Sequence, residues 1–223
     1  MTPLFWKRTV DILMIGLFIV LMGCSMTGDV VHECLGLLLF VLFITHHVLN
    51  GTWYRTFMNR RRSVRQLIRT LMTAILLVVV IFMAAGSVLV SRTLFAFIDY
   101  DGGLFARQFH QMTAHLCLIL AAIHFGIYGK SFFSWEKIET KGRMQKAKRF
   151  VFTVLIVVGC FYGILASFRH DLFEKLLMRQ AYSFWNGSCI AFFVDYAAIF
   201  VLYAVIAHVA DRLLIKFGNA QNK

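Results

Sequence analysis

The chain has 223 residues, 60% of them hydrophobic and 15% charged, with one proline and a formal net charge of +12. A soluble domain of this length shows apolar stripes rather than segments apolar all round, so the composition excludes an ordinary soluble fold. The positive charge is no nucleic-acid footprint, because 18 of the 23 basic residues fall in four segments between or beside apolar stretches: Lys7-Arg8, 55–69, 130–149 and the C-terminal tail.

Crossing a hydrocarbon core of about 30 Å takes about 18 or more apolar residues. Six stretches qualify, at about 10–27, 30–50, 68–90, 110–129, 149–168 and 189–210. The expected fold is all-α: a polytopic transmembrane helical bundle of six helices, forming one domain over residues 1–223. The first stretch follows "MTPLFWKR" as a signal sequence would, but no A-x-A-like cleavage site comes after it, so it reads as a retained helix. If the helices alternate, the four basic segments share one side, while Asp29, Asp99, Asp101, Asp171 and Glu174 lie on the other. The positive-inside rule then puts both termini in the cytoplasm of a multi-pass protein of the cytoplasmic membrane. The basic loops meet anionic lipid, and nucleic acid is not an expected partner. Outer loops at about 91–109 and 169–188 are rich in aromatic residues, which favour the headgroup region. Cys24, Cys34, Cys117, Cys160 and Cys189 are scattered, with no C-x-x-C pair, and read as small packing residues.

The second stretch carries His32, His46 and His47, and the fourth carries His110, His115 and His124. An ionisable side chain in a bilayer is costly and by default a functional candidate. His32 and His46 are 14 residues apart, and so are His110 and His124. At ~100° per residue that spacing ends about 40° short of four full turns and rises about 21 Å. Each helix therefore shows two histidines on one face, one near each membrane surface. Both stretches run from outside to inside, so His32 matches His110 in depth and His46 matches His124. Two such imidazole pairs, stacked across a bilayer, are what two bis-histidine haems require.

The other histidines fit this pattern less well. His47 lies about 60° beyond the direction of His32 and stays an alternative to His46. His115 is nine residues before His124, on the opposite face. His170 and His208 have no same-face partner and read as interface residues. Gly36, four residues after His32, is placed either to admit a porphyrin or to let helices pack closely. Arg92 and Arg107 flank the loop before the fourth stretch, as partners for haem propionates or as solvated loop charges. Asp195 and Tyr196, near the outer end of the sixth stretch, suit a proton or quinol role or a hydrogen-bonded structural one.

The segments "HECLGLLLFVLFITHHVLNGTWY", "LVSRTLFAF" and "QFHQMTAHLCLILAAIHFGIYG" together resemble the flavinylation-associated cytochrome family. "YGILASFRHD" and "FFVDYAAIFVLYAVIAHVADRL" are also similar, so the likeness covers most of the chain after Val30. His115 departs from that pattern, where an aromatic residue is expected, and Tyr128 stands where the family tends to have a second histidine. The resemblance implies two b-type haems on His32, His46, His110 and His124, and electron transfer to an extracytosolic flavin-bearing protein.

Three functions follow as expectations. The leading one is a di-haem b-type cytochrome carrying electrons across the membrane between a quinol pool or other donor and an extracytosolic acceptor such as a flavoprotein. The others are a histidine-lined transition-metal transporter and a stand-alone quinol-dependent reductase.

Overall fold

Inside a bilayer the backbone finds no water partner, so each long apolar stretch must close its own hydrogen bonds as helix. The computed structural model describes residues 3–57, 63–98, 102–129, 143–180 and 185–221. Among them all regular structure is helical: α1 (Pro3–Leu21), α2 (Cys24–Thr27), α3 (Asp29–Leu49), α4 (Thr52–Phe57), α5 (Val64–Val90), α6 (Gly103–Tyr128), α7 (Arg143–Arg169), α8 (Leu172–Leu176) and α9 (Cys189–Gln221). Five segments are long and apolar enough to cross a membrane: Asp29–Leu49, Val64–Val90, Gly103–Tyr128, Gln145–Arg169 and Cys189–Ile215. The protein is an all-helical, multi-pass membrane protein.

The first apolar stretch differs from its expected form. α1 begins at Pro3 and ends at Leu21, so its 19 residues include Lys7, Arg8 and Asp11. The chain then breaks at Gly23 into the four-residue α2. Gly28, at φ 77°, holds a left-handed turn that a β-carbon disfavours, and α3 starts directly after it. Other helices overrun their apolar stretches because polar residues start them. Ser63 accepts from the Gln66 N–H while the Ser63 N–H donates to the Gln66 side chain, a reciprocal cap that opens α5 at Val64. α6 takes up much of the loop expected at 91–109, and α8 lies within the one expected at 169–188. Residues 60–62, Asp99, Asp101 and most of the basic segment 130–149 lie outside the described residues.

The core sits where α6, α7 and α9 meet, with α8 beneath them. Leu118, Ala122, Ala166, Leu172, Ile199 and Ala204 fill it. Small residues bring these helices close, since lipid offers apolar side chains as good a partner as another helix does. A β-carbon on Gly126 would collide with the Ala204 carbonyl, and one on Gly163 with that of Ala198. α5 lies along α6. At one end of the bundle Arg65 and Arg69 both grip Asp211 of α9, with shortest N–O distances of 2.6 and 2.7 Å. The Arg69 guanidinium also donates to the Ile127 carbonyl, one of the last-turn acceptors of α6 that the helix itself leaves unpaired.

α1 carries the remaining layer. It packs against α3 and touches α9, and its Ile15, Phe18 and Ile19 lie against the core. α3 rests on α1 and α2 and makes few close backbone approaches to α6. Leu39 is the only buried residue in α3.

Replacing Gly126 with leucine should force α6 and α9 apart, at an overpacking cost of about 1–3 kcal/mol. Gly159→Ala should be near neutral, because its β-carbon would meet nothing within 4 Å. Thermal unfolding in detergent, followed by size-exclusion, compares the two.

Candidate cofactor site between paired histidines

The separation of α3 from α6 matters because histidine rings meet across it. His32 faces His110 with ring centroids 6.4 Å apart and planes at 84°. His46 faces His124 at 6.5 Å and 72°. These are the four residues and the two pairings set by the 14-residue spacing. His47 turns elsewhere: its ring lies 4.3 Å from Phe43, and its Nδ1 pairs with the Tyr54 hydroxyl at 2.7 Å.

Hydrogen bonds at the rings fix which nitrogen is available. In α5 the Ser87 hydroxyl donates to the Met83 carbonyl, so its oxygen is left to accept from His110 Nδ1–H at 3.3 Å. Thr73 repeats the arrangement one site away. Its hydroxyl donates to the Arg69 carbonyl, and its oxygen accepts from His124 Nδ1–H at 3.4 Å. On the α3 side, His46 Nδ1–H donates to the Asp11 carboxylate of α1 at 2.7 Å. His32 Nδ1 is buried without a partner. Three of the four imidazoles thus have Nδ1 engaged, which puts the lone pair on Nε2, the state needed to bind a metal.

A bis-histidine metal centre fits the observed spacing. A transition-metal ion about 2 Å from one nitrogen of each ring places the two centroids about 6 Å apart. α3 and α6 make few close backbone approaches beside these pairs, and a β-carbon at Gly36 would meet nothing within 4 Å. Close helix packing, the other reading of Gly36, is not observed. Among the described residues no group of three or more His, Cys, Asp or Glu converges as a metal-ion cage. The sites are paired, not clustered.

Around the His32–His110 pair, Glu33 organises the chain. Its carboxylate accepts from the Ser91 hydroxyl at 2.7 Å, from the backbone N–H of Arg92 and Leu94 at 2.8 Å each, and from Thr93. That clasp ties the start of α3 to the end of α5 and holds Arg92, whose side chain is exposed, beside the site. Arg107 stands about one helical turn before His110 on α6.

The remaining candidates form a second, separate assembly. Asp195 is fully buried and accepts from Tyr162 at 2.6 Å, His170 at 2.9 Å and Arg169 at 3.0 Å. Its lone pairs are saturated, so the structure favours the structural role for this carboxylate. His115 Nδ1–H donates to the Gln111 carbonyl at 2.7 Å, which leaves Nε2 to accept from the Tyr196 hydroxyl at 3.0 Å. Lys175 Nζ reaches the same hydroxyl at 3.5 Å and is only 3% exposed. Burial pushes its ammonium down from 10.5 to about 8. His208 hydrogen-bonds the Gly126 carbonyl at 3.3 Å, at the α6–α9 contact. All five cysteines are free.

Sequence reasoning missed Asp11, Thr73, Ser87, Glu33 and Lys175. One signal was present: Thr73 and Ser87 are also 14 residues apart, the histidine spacing repeated on a neighbouring helix. No family model, curated protein or solved structure matches the chain.

Two stability measurements test the second assembly. Asp195→Ala should lower the thermal midpoint far more than Arg169→Ala, because it strands buried His170 and half-buried Tyr162 while Arg169 reaches solvent. Unfolded Lys175 keeps its proton up to about 10.5 and the folded residue loses it near 8, so burying the charge costs stability at neutral pH. That cost is relieved as pH rises through the same window. Lys175→Met should therefore raise the midpoint at neutral pH, by a margin that shrinks above about pH 8.

Proposed function

We propose that this protein is a di-haem b-type membrane cytochrome that carries electrons across the membrane, from a quinol pool or another donor to an extracytosolic acceptor such as a flavin-bearing protein. The observation that carries this reading is the pair of imidazole pairs. Each has a centroid separation suited to one bridging metal, 6.4 and 6.5 Å, and they lie four helical turns apart on the same two helices. The resemblance to flavinylation-associated cytochromes points the same way, and supplies the flavoprotein partner.

In this reading α1 adds a sixth crossing, both termini are cytoplasmic, and the cytoplasmic membrane is the site of action. His32 and His110 hold the outer haem, and His46 and His124 the inner one. Haem held by these histidine pairs would supply one-electron chemistry. The protein's own residues do the rest. Ser87, Thr73 and Asp11 keep Nδ1 protonated and orient the rings, so that Nε2 faces the gap. Gly36 would leave a porphyrin face clear, and Arg92, on the turn held by Glu33, and Arg107, about one turn before His110, are the candidates to meet propionates. The absence of a convergent cage among the described residues gives a metal-ion transport path no compact coordination sphere.

Purified protein from haem-replete cells should show a Soret band and two haems per chain. Replacing His32, His46, His110 or His124 with alanine should roughly halve the haem content, while His115→Ala and His170→Ala should leave it near that of the parent. Absence of the Soret band would overturn the proposal. The ring planes lie at 84° and 72°, near perpendicular, so the two ligands of each pair donate into different iron d orbitals and leave them almost equal in energy. Electron paramagnetic resonance of the oxidised protein should accordingly give strongly anisotropic low-spin signals, not the rhombic signals of parallel imidazoles.

A further inference from the structure

The two histidine pairs are matched on one side and unmatched on the other. On α6, His110 and His124 each donate Nδ1–H to an α5 hydroxyl, at 3.3 and 3.4 Å, and each hydroxyl passes its own proton to a backbone carbonyl. On α3, His46 donates to a carboxylate at 2.7 Å, and His32 Nδ1 has no partner at all. The sites therefore compare a ligand backed by an anion with one backed by nothing, against a common second ligand.

An anion that accepts the Nδ1 proton pushes electron density toward Nε2 and makes the imidazole a stronger donor. A stronger axial donor stabilises Fe(III) over Fe(II), and second-shell hydrogen bonding is one of the levers that set haem potential. Asp29 and Glu33 share the first turns of α3 with His32, but neither hydrogen-bonds its Nδ1. Glu33, next to His32, has both carboxylate oxygens on the 91–94 turn. Arg65 and Arg69, at the other end, turn their guanidiniums onto Asp211. Asn50 steadies the His46 ring, its side-chain amide donating to the His46 carbonyl at 2.9 Å.

We propose that Asp11 is a positioning residue that makes His46 the strongest donor of the four, so that the haem held by His46 and His124 has the lower reduction potential and electrons run downhill to the haem held by His32 and His110. This rests on the di-haem reading above and gives it a direction, from the cytoplasmic to the extracytosolic side. One electron passed between the sites would take an inner haem from Fe(II) to Fe(III) and an outer one from Fe(III) to Fe(II), so the exchange balances. No proton needs to move, since Nδ1–H stays shared with Asp11 throughout.

Spectroelectrochemical titration tests this with two independent sets of variants. His32→Ala should retain only the inner haem and His46→Ala only the outer, and the first should titrate at the lower potential. Asp11→Asn keeps an acceptor oxygen for His46 Nδ1–H and removes the charge. It should leave the haem:protein ratio unchanged, raise the lower potential and leave the upper one in place. The expected change in electron partition between the sites is about tenfold, about 59 mV for a one-electron couple. An inner haem that titrates above the outer one overturns the inference, and so does an Asp11→Asn variant whose lower potential does not rise. A parent protein with no Soret band instead overturns the di-haem reading on which it stands.

Discussion

A histidine placed in hydrocarbon carries two ring nitrogens with opposite needs, one a donor and one an acceptor, and the rest of this site follows from how each is answered. A buried polar group without a partner costs on the order of kilocalories, and three of the four rings are secured at Nδ1 while His32 is not. α5 secures both α6 rings with hydroxyls, Ser87 and Thr73, whose own protons are already committed to the turn before them. α1 secures His46 with Asp11. That bond gives the Asp11 charge of α1 a partner, and two helices without paired histidines pack beside the two that carry them.

The histidine geometry was legible in the sequence because helical spacing is rigid. Once His32, His46, His110 and His124 lie on helices, 14 residues fixes both face and depth. The same rule places His46 rather than His47 toward His124, a choice the sequence left open because about 60° of rotation separates weak from strong candidates only when the partner helix is in place. Asp11 was hidden for a different reason. Asp11 already lay inside the stretch at 10–27, but spacing along one segment does not show that α1 packs on α3 and brings this carboxylate to His46.

The buried assembly around Asp195 and Tyr196 shows the other limit of sequence reading. Asp195 and His170 were read separately in the sequence, and only the packing of α7, α8 and α9 reveals one saturated carboxylate that they share with Tyr162 and Arg169. Tyr196 lies beside the His170 ring but hydrogen-bonds elsewhere, between His115 and Lys175. Adjacent residues on α9 thus belong to different networks, because neighbours in a helix project about 100° apart. Spacing predicts where side chains point; it does not say which donors are waiting there.

The looseness of α3 also bears on how the protein is made. Each imidazole pair joins residues 78 apart in the chain, so the α3 half of both sites leaves the ribosome well before the α6 half. At about 5–20 residues per second that lag is on the order of 10 s, and the core helices α7 and α9 come later still. During that interval His32 and His46 face lipid on a helix anchored only to α1 and α2. Glu33 can close its clasp only after the 91–94 turn has emerged, so α3 is latched from its first turn while its flank still opens sideways. Until α6 inserts, His32 and His46 have no facing histidine on the helices already made, and the pairing of both imidazole sets waits on that single insertion.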